Sequence, residues 1–263
     1  MNLLNRWASL LVVLIMVSCS SKPASEKAPV AKQTVKATIV SGDNLLSTEE
    51  RNNGWMLLFD GKAADGWRGF NKDHFPKNWE VVDGTLHMKG KDLTEEEKAD
   101  RADLIYDKEF ENFIFRLEWK ISEGGNSGIF YLGKEGMDKI YKTAPEMQVL
   151  DNNKHPDAKK GKDGNRKAGS LYDLIPADPQ NVRPVGEWNE VEITINNREV
   201  THKQNGVVVV KYTLDSPEWK EMVAVSKFPK LNPDWANVPT KGVIGLQDHD
   251  DHVWFRNLRI KEL

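Results

Sequence analysis

From Trp55 onward the chain alternates short apolar runs with turn residues. WMLLFDG (55–61), WEVVDGTLHM (79–88), DLIYD (103–107) and FIFRLEWKIS (113–122) come first. NSGIFYL (126–132), EMQVLD (146–151) and SLYDLI (170–175) follow. WNEVEITIN (188–196), EVTHKQNGVVVVKYTL (199–214), VIGLQDH (243–249) and VWFRNLRI (253–260) close the series. Each has the length and composition of a strand. In 113–122, Phe113, Phe115, Leu117 and Trp119 alternate with Ile114, Arg116, Glu118 and Lys120, which predicts one buried and one wetter face. Asp83-Gly84 and Asn205-Gly206 are hairpin turns between such runs. Only 94–101 and 216–228 have helical character, the second with Ser216 as cap and Pro217 in the first turn. There is no βαβ rhythm and no repeat of 20–50 residues. The pattern predicts an all-β fold of about a dozen strands, a two-sheet sandwich or jelly roll, with an open barrel as the alternative.

The first residues follow a different pattern. Arg6 precedes an apolar run, Trp7 to Val17, shorter than the roughly 20 residues a membrane helix needs. It fits residues 1–18 as a signal peptide. Met16-Val17-Ser18-Cys19 resembles a bacterial lipobox, so Cys19 is the expected lipidation site. Residues 19–48 then read as a flexible tether, rich in Ser, Lys, Ala and Pro at first, and 49–263 as the folded domain. The expected location is that of an exported bacterial lipoprotein, periplasmic or cell-surface, held to a membrane through its lipid.

Composition narrows the function classes. The net charge is −3, with 29% charged and 39% hydrophobic residues, so no basic excess marks a nucleic-acid partner. The single cysteine, Cys19, excludes a disulfide or a thiol nucleophile in the domain. Nine tryptophans suit either core packing or sugar stacking. H-E-x-x-H, EF-hand, C-x-x-C, G-x-S-x-G and G-x-G-x-x-G motifs are absent.

Two stretches carry candidate chemistry. In EMQVLD, alternation puts Glu146 and Gln148 opposite the core residues Met147 and Val149, on either a groove wall or a solvated face. Asp151 and His155 follow, with Pro156 biasing His155 to extended geometry. In GLQDHDDHVWFRN (245–257), Gln247 and His249 share parity amid Asp248, Asp250, Asp251 and His252, and Arg256 follows beside Trp254. Such a cluster suits metal ligation, acid–base work or a polar hairpin tip. The small residues of GGNSGIFY (124–131) let a ligand approach the backbone.

GWMLLFDGKAADGW, ISEGGNSGIFYL, PEMQVLDNNKHPDA, LYDLI, GEWNEV, QNG and GLQDHDDHVWFRNLRI occur in the order found in the DUF1080 family, the 3-keto-disaccharide hydrolases and 3-keto-glucoside lyases. The resemblance runs from about Gly54 to Leu263. It implies a concanavalin A-like lectin/glucanase jelly roll and a carbohydrate substrate oxidised to a ketone at C3. It implies C2 deprotonation, β-elimination of the C1 substituent and hydration. On that reading Glu146, His249, Asp151 and His155 are the expected catalytic residues. Gln148, Asn126, Tyr172, Gln247 and Arg256 are the expected substrate contacts. A divalent metal ion, with Glu146 and His249 as ligands, would serve the enolate. The chain departs from the family where Asp250 replaces a glycine and Lys203 a tryptophan of the His-Trp-Leu-Asn-Gly hairpin. The first should keep its turn, since Asp tolerates positive φ. The second bears on substrate choice through a lost stacking surface. An ordinary glycoside hydrolase with paired carboxylates, or a carbohydrate-binding module without catalysis, are the alternatives.

Overall fold

The structure is a computed structural model and describes residues 42–263. The expected signal peptide, Cys19 and most of the expected tether lie outside the described residues. In chain order the strands are β1 (Trp55–Leu57), β2 (Trp67–Gly69), β3 (Trp79–Val82), β4 (Thr85–Lys89), β5 (Leu104–Phe110), β6 (Phe113–Ile121) and β7 (Asn126–Gly133). Then come β8 (Glu146–Leu150), β9 (Asn189–Asn196), β10 (Glu199–Gln204), β11 (Val207–Thr213), β12 (Gly242–Leu246) and β13 (His252–Glu262).

These strands form two antiparallel sheets, the sandwich expected for the jelly roll. One has the order β11-β10-β9-β6-β13-β4-β3, with β1 also on β13; the other has the order β2-β5-β12-β7-β8. Inward residues of β6 (Phe113, Phe115, Leu117, Trp119) and β13 (Val253, Phe255) meet Ile129, Tyr131, Met147, Val149, Ile244 and Leu246 from the smaller sheet. Each such side chain contributes about 1.5–3 kcal/mol on burial. Asp83-Gly84 and Asn205-Gly206 take the positive φ values their turns require.

The far face of the smaller sheet is not the open surface that alternation would allow. β7 and β8 are buried along their whole length. Phe70, Ile105, Phe130, Ile140 and Ala144 form a second apolar cluster on that side. Two helices extend the cover: α1 of this region (Pro217–Ala224), capped by Ser216 as expected, and α2 (Phe228–Leu231). Trp219 of the first and Phe228 of the second each stack on Trp235. Trp235 donates its indole N–H to the Tyr141 carbonyl and ties this cover to the 140–142 turn.

Two expectations change. SLYDLI forms no strand: Leu171 makes only isolated bridges to Met147 and Ile175. The positive φ values of Gly169 and Asp173 bend the run around β8. Residues 43–48, assigned to the tether, belong to the domain. Asn44 exchanges hydrogen bonds with Asn257 at 2.6 and 2.8 Å, and Leu46 is buried.

Candidate active site

Strand register builds the site. Across β7 and β8, Phe130 faces Glu146, Gly128 faces Gln148 and Asn126 faces Leu150. Gly245 of β12 faces Phe130, so Gln247, two residues on, returns to the same side. Glu146, Gln148, Asn126 and Gln247 therefore floor a cavity of about 260 Å³. Tyr141, Tyr172, Lys227, Phe228 and Leu231 wall it, and His249 stands at its rim. Its volume is at the small end of ligand pockets, which run roughly 300–1,000 Å³.

The floor is polar and short of partners. Asn126 Oδ1, Gln148 Oε1 and Gln247 Oε1 are buried without a hydrogen bond. Such acceptors are costly unless something donates to them. Glu146 is 6% exposed. Burial pushes its carboxyl up to about 8; Lys227 opposes the shift and Asp103 and Asp157 add to it. Asp103, buried to the same degree, is pushed up to about 6 by burial.

A hydrogen-bond chain forms the opposite wall. Lys227 Nζ donates to Tyr172 Oη at 3.0 Å, and Tyr172 donates to Asp157 Oδ2 at 2.8 Å. Arg166 donates to Asp157 Oδ1 at 3.0 Å. Burial works against the Asp157 charge, but the bonds from Tyr172 and Arg166 hold it below the usual carboxylate range. Burial, reinforced by Glu146, pushes the Tyr172 hydroxyl well up, and burial pushes the Lys227 ammonium down.

At the rim, His249 Nε2 lies 3.2 Å from Asn126 Nδ2, and its ring meets the His155 ring edge-on at 5.9 Å. Asp251 accepts the Asn126 amide N–H at 3.1 Å. Arg101 pins this tip, donating Nε and Nη2 to Asp248 at 2.8 Å each and Nη1 to Asp250. Asp250 has φ +65°, the left-handed turn geometry expected of it.

Six of the expected residues thus line one cavity: Glu146, Gln148, Asn126, Tyr172, Gln247 and His249, with His155 beside His249. Two do not. Asp151 accepts backbone amides from Gly124, Asn153 and Lys154 and shapes its loop. It borders a separate cleft of about 560 Å³. Arg256 is on the outer face of the larger sheet, bonded to Glu118 and Asp43 and stacked on Trp188. The fault was parity without topology: β13 belongs to the other sheet. Lys203 also lies away from the cavity, beside an outer groove of about 270 Å³ whose arginines and glutamates largely pair with each other. A tryptophan there would not stack in the site. Sequence reading missed Lys227, which reaches Tyr172 only because a distant segment folds over β8.

The expected metal pair of Glu146 and His249 also changes. Among the described residues, the group with ligand atoms within 4.8 Å of one another is His155, His249 and Asp251. Its fit is poor. His155 Nδ1 accepts the Asp157 amide N–H at 3.2 Å, so a neutral ring carries its proton on Nε2 and offers a donor there. Acid–base work suits the group better than ligation.

The site is thus a cavity on a β-sandwich, floored by amides and by the buried Glu146 carboxyl. Residues 54–261 match the family described as the 3-keto-alpha-glucoside-1,2-lyase-like domain, and the chain belongs to that family. It is 40% identical over 275 residues to a 3-keto-disaccharide hydrolase of Bacteroides thetaiotaomicron, covering 95% of this chain and 94% of that one. A crystal structure from Parabacteroides distasonis, provisionally described as a glycosyl hydrolase, is 31% identical with TM-score 0.74, over 84% of this chain and all of that one. A second from the same organism, described likewise, has 27% identity and TM-score 0.60, over 80% of this chain and all of that one.

Proposed function

We propose that the protein cleaves 3-keto-glycosides by removing the C2 proton and eliminating the C1 substituent, with water then adding to the enone. One observation carries this reading. Among the described residues Glu146 is the only carboxyl residue lining the cavity, and it stands among a lysine, two tyrosines and a histidine. An ordinary glycosidase needs two carboxyl groups flanking the sugar, roughly 5–10 Å apart. Elimination needs a base at C2, activation of the C3 ketone and an acid for the leaving oxygen.

The residues divide accordingly. His249 takes the C2 proton. Glu146, kept neutral by burial at neutral pH, protonates the departing C1 oxygen. Lys227 and Tyr172 act on the C3 ketone. The unpartnered oxygens of Asn126, Gln148 and Gln247 accept the sugar hydroxyls. The test is incubation of a plain glucoside and its 3-keto form in deuterated water. Consumption of the keto form alone, with deuterium entering at C2 or a slower reaction of C2-deuterated substrate, is expected. Cleavage of the plain glucoside without either effect would point to an oxocarbenium route.

For location, the reading remains a lipoprotein anchored at Cys19. Replacement of Cys19 by alanine should release the protein from membranes, and unchanged membrane association would defeat that reading.

A further inference from the structure

Lys227 lines the cavity without an acidic partner. Among the described residues it forms no ion pair. Its Nζ donates to Tyr172 and rests over the rings of Tyr172 and Phe228 at 4.2 and 5.6 Å. A half-buried lysine commonly pairs with a carboxylate, but Asp173, Glu146 and Asp157 bear on this one only at a distance, without a direct ion pair. Here aromatic faces take that place, and burial pushes the ammonium toward the free amine. Tyr172 connects it to Asp157, an anion that Arg166 holds in place and that fixes the Tyr172 hydroxyl beneath the amine.

Resting on the 3-keto reading, we infer that Lys227 is a covalent catalyst whose amine forms a Schiff base with the C3 ketone of the sugar. The ammonium first lends a proton to water at the cavity mouth. Its nitrogen lone pair then forms the bond to C3. The carbonyl oxygen collects two protons, the lent one included, and leaves as water. Ammonium plus ketone thus becomes iminium plus water with no net proton. The positive nitrogen acidifies C2. His249 takes that proton and the C2–H pair becomes the enamine double bond. The enamine pushes its electrons toward C1, the C1–O bond breaks, and the leaving oxygen takes a proton from Glu146. Water then adds at C3, the C3–N bond breaks, and the enone and the amine are released. Nothing is oxidised or reduced, and no further reactant is needed.

The experiment treats the protein with a 3-keto-glucoside and sodium borohydride. Reduction should trap a sugar-sized adduct on the peptide carrying Lys227 and inactivate the protein. Without borohydride, sugar recovered from oxygen-18 water should carry the label at C3 faster than the uncatalysed rate. Lys227→Arg keeps the charge but forms no Schiff base under these conditions. It should lose at least about 10³-fold in kcat while melting within a few degrees of the parent. Consumption of the keto sugar with C2 exchange, but with no adduct and no added label at C3, would overturn the Schiff base and leave the elimination standing. Activity of Lys227→Arg within about tenfold of the parent would do the same. No consumption of the keto sugar by the parent protein would overturn both.

Discussion

Gly128 and Glu146 sit so close that a Cβ on residue 128 would lie 2.7 Å from the Glu146 Cδ and overlap its Oε1. The missing side chain on β7 is the seat of the carboxyl on β8. Gly128 is not among the positive-φ glycines, so alanine meets no backbone strain there. Gly128→Ala should instead displace Glu146. Overpacking of this kind costs about 1–3 kcal/mol. Turnover of the keto substrate should fall further than stability does, by about 10²-fold, the lower end for a positioned acid. Paired melting and kcat measurements check this; a full loss of stability with kcat preserved in the folded fraction would contradict it.

The raised value of Glu146 sets a pH dependence of stability. An unfolded glutamate titrates near about 4.3, whereas the folded one titrates near 8 because burial opposes its charge. Below the lower value both states hold the proton and the carboxyl is not penalised. Between the two the unfolded state releases its proton first, so stability falls by up to about 1.4 kcal/mol per pH unit. Above 8 the penalty is complete. Lys227, Asp103 and Asp157 are the neighbouring charges, with the neutral Tyr172 hydroxyl beside them, and all are common to parent and variant. Glu146→Gln removes the titration alone. Its melting temperature relative to the parent should therefore climb from pH 5 to pH 8, while activity is lost. A flat difference across that range would refute the buried, neutral carboxyl.

Arg256 supplies the contrast. It pairs with Glu118 at 2.8 Å and Asp43 at 2.6 Å on the sheet that does not carry Glu146. Arg256→Ala should cost about 1 kcal/mol or less, as partly exposed pairs do, and should leave kcat/KM of the keto substrate within about twofold of the parent, since surface changes away from a site act weakly. A large loss of kcat/KM at unchanged stability would return Arg256 to the site.

These outcomes reflect what the sequence could and could not say. Period-2 alternation placed Glu146 and Gln148 opposite Met147 and Val149, and β8 keeps that parity. The same period turns Arg256 and Trp254 away from the buried Val253 and Phe255. It could not say that β13 and β8 lie in different sheets, because that is fixed by long-range pairing. Nor could it say that the Glu146 face is covered. The cover comes from Tyr141, Tyr172, Lys227 and Phe228, which lie up to 82 residues away along the chain and carry no periodic signal of their own. Asp151 misled for a local reason. An aspartate after a strand is as apt to cap loop amides as to do chemistry, and here it takes three.

The histidine pair predicts how the protein responds to chelators. With His155 Nδ1 receiving the Asp157 amide, the ring presents a proton where a metal would need a lone pair. EDTA should leave turnover of the keto substrate unchanged, and added divalent ions should neither raise it nor rescue His249→Ala. Inhibition by EDTA reversed by a divalent ion would show that the ring turns to ligate and would restore the metal expectation.

Arg101 lies outside the cavity, yet it should influence the reaction through His249. Its fork grips Asp248 at 2.8 Å twice and also reaches Asp250, so both neighbours of His249 are held. Asp248 is further tied by its amide to Asp103 at 2.9 Å, which links the tip to the floor of the sheet. Arg101→Ala should release the outer half of this tip while the inner tie persists. A base displaced by about 1 Å can cost on the order of 10²-fold in rate. The loss should appear in kcat rather than KM, because Asn126, Gln148 and Gln247 still hold the sugar. Arg101→Lys, which keeps the charge but not the two-pronged grip, should recover only a part of it. A purely structural role would lower the melting temperature and leave kcat of the folded protein unchanged; a rise in KM alone would mean that the tip binds substrate rather than positioning His249.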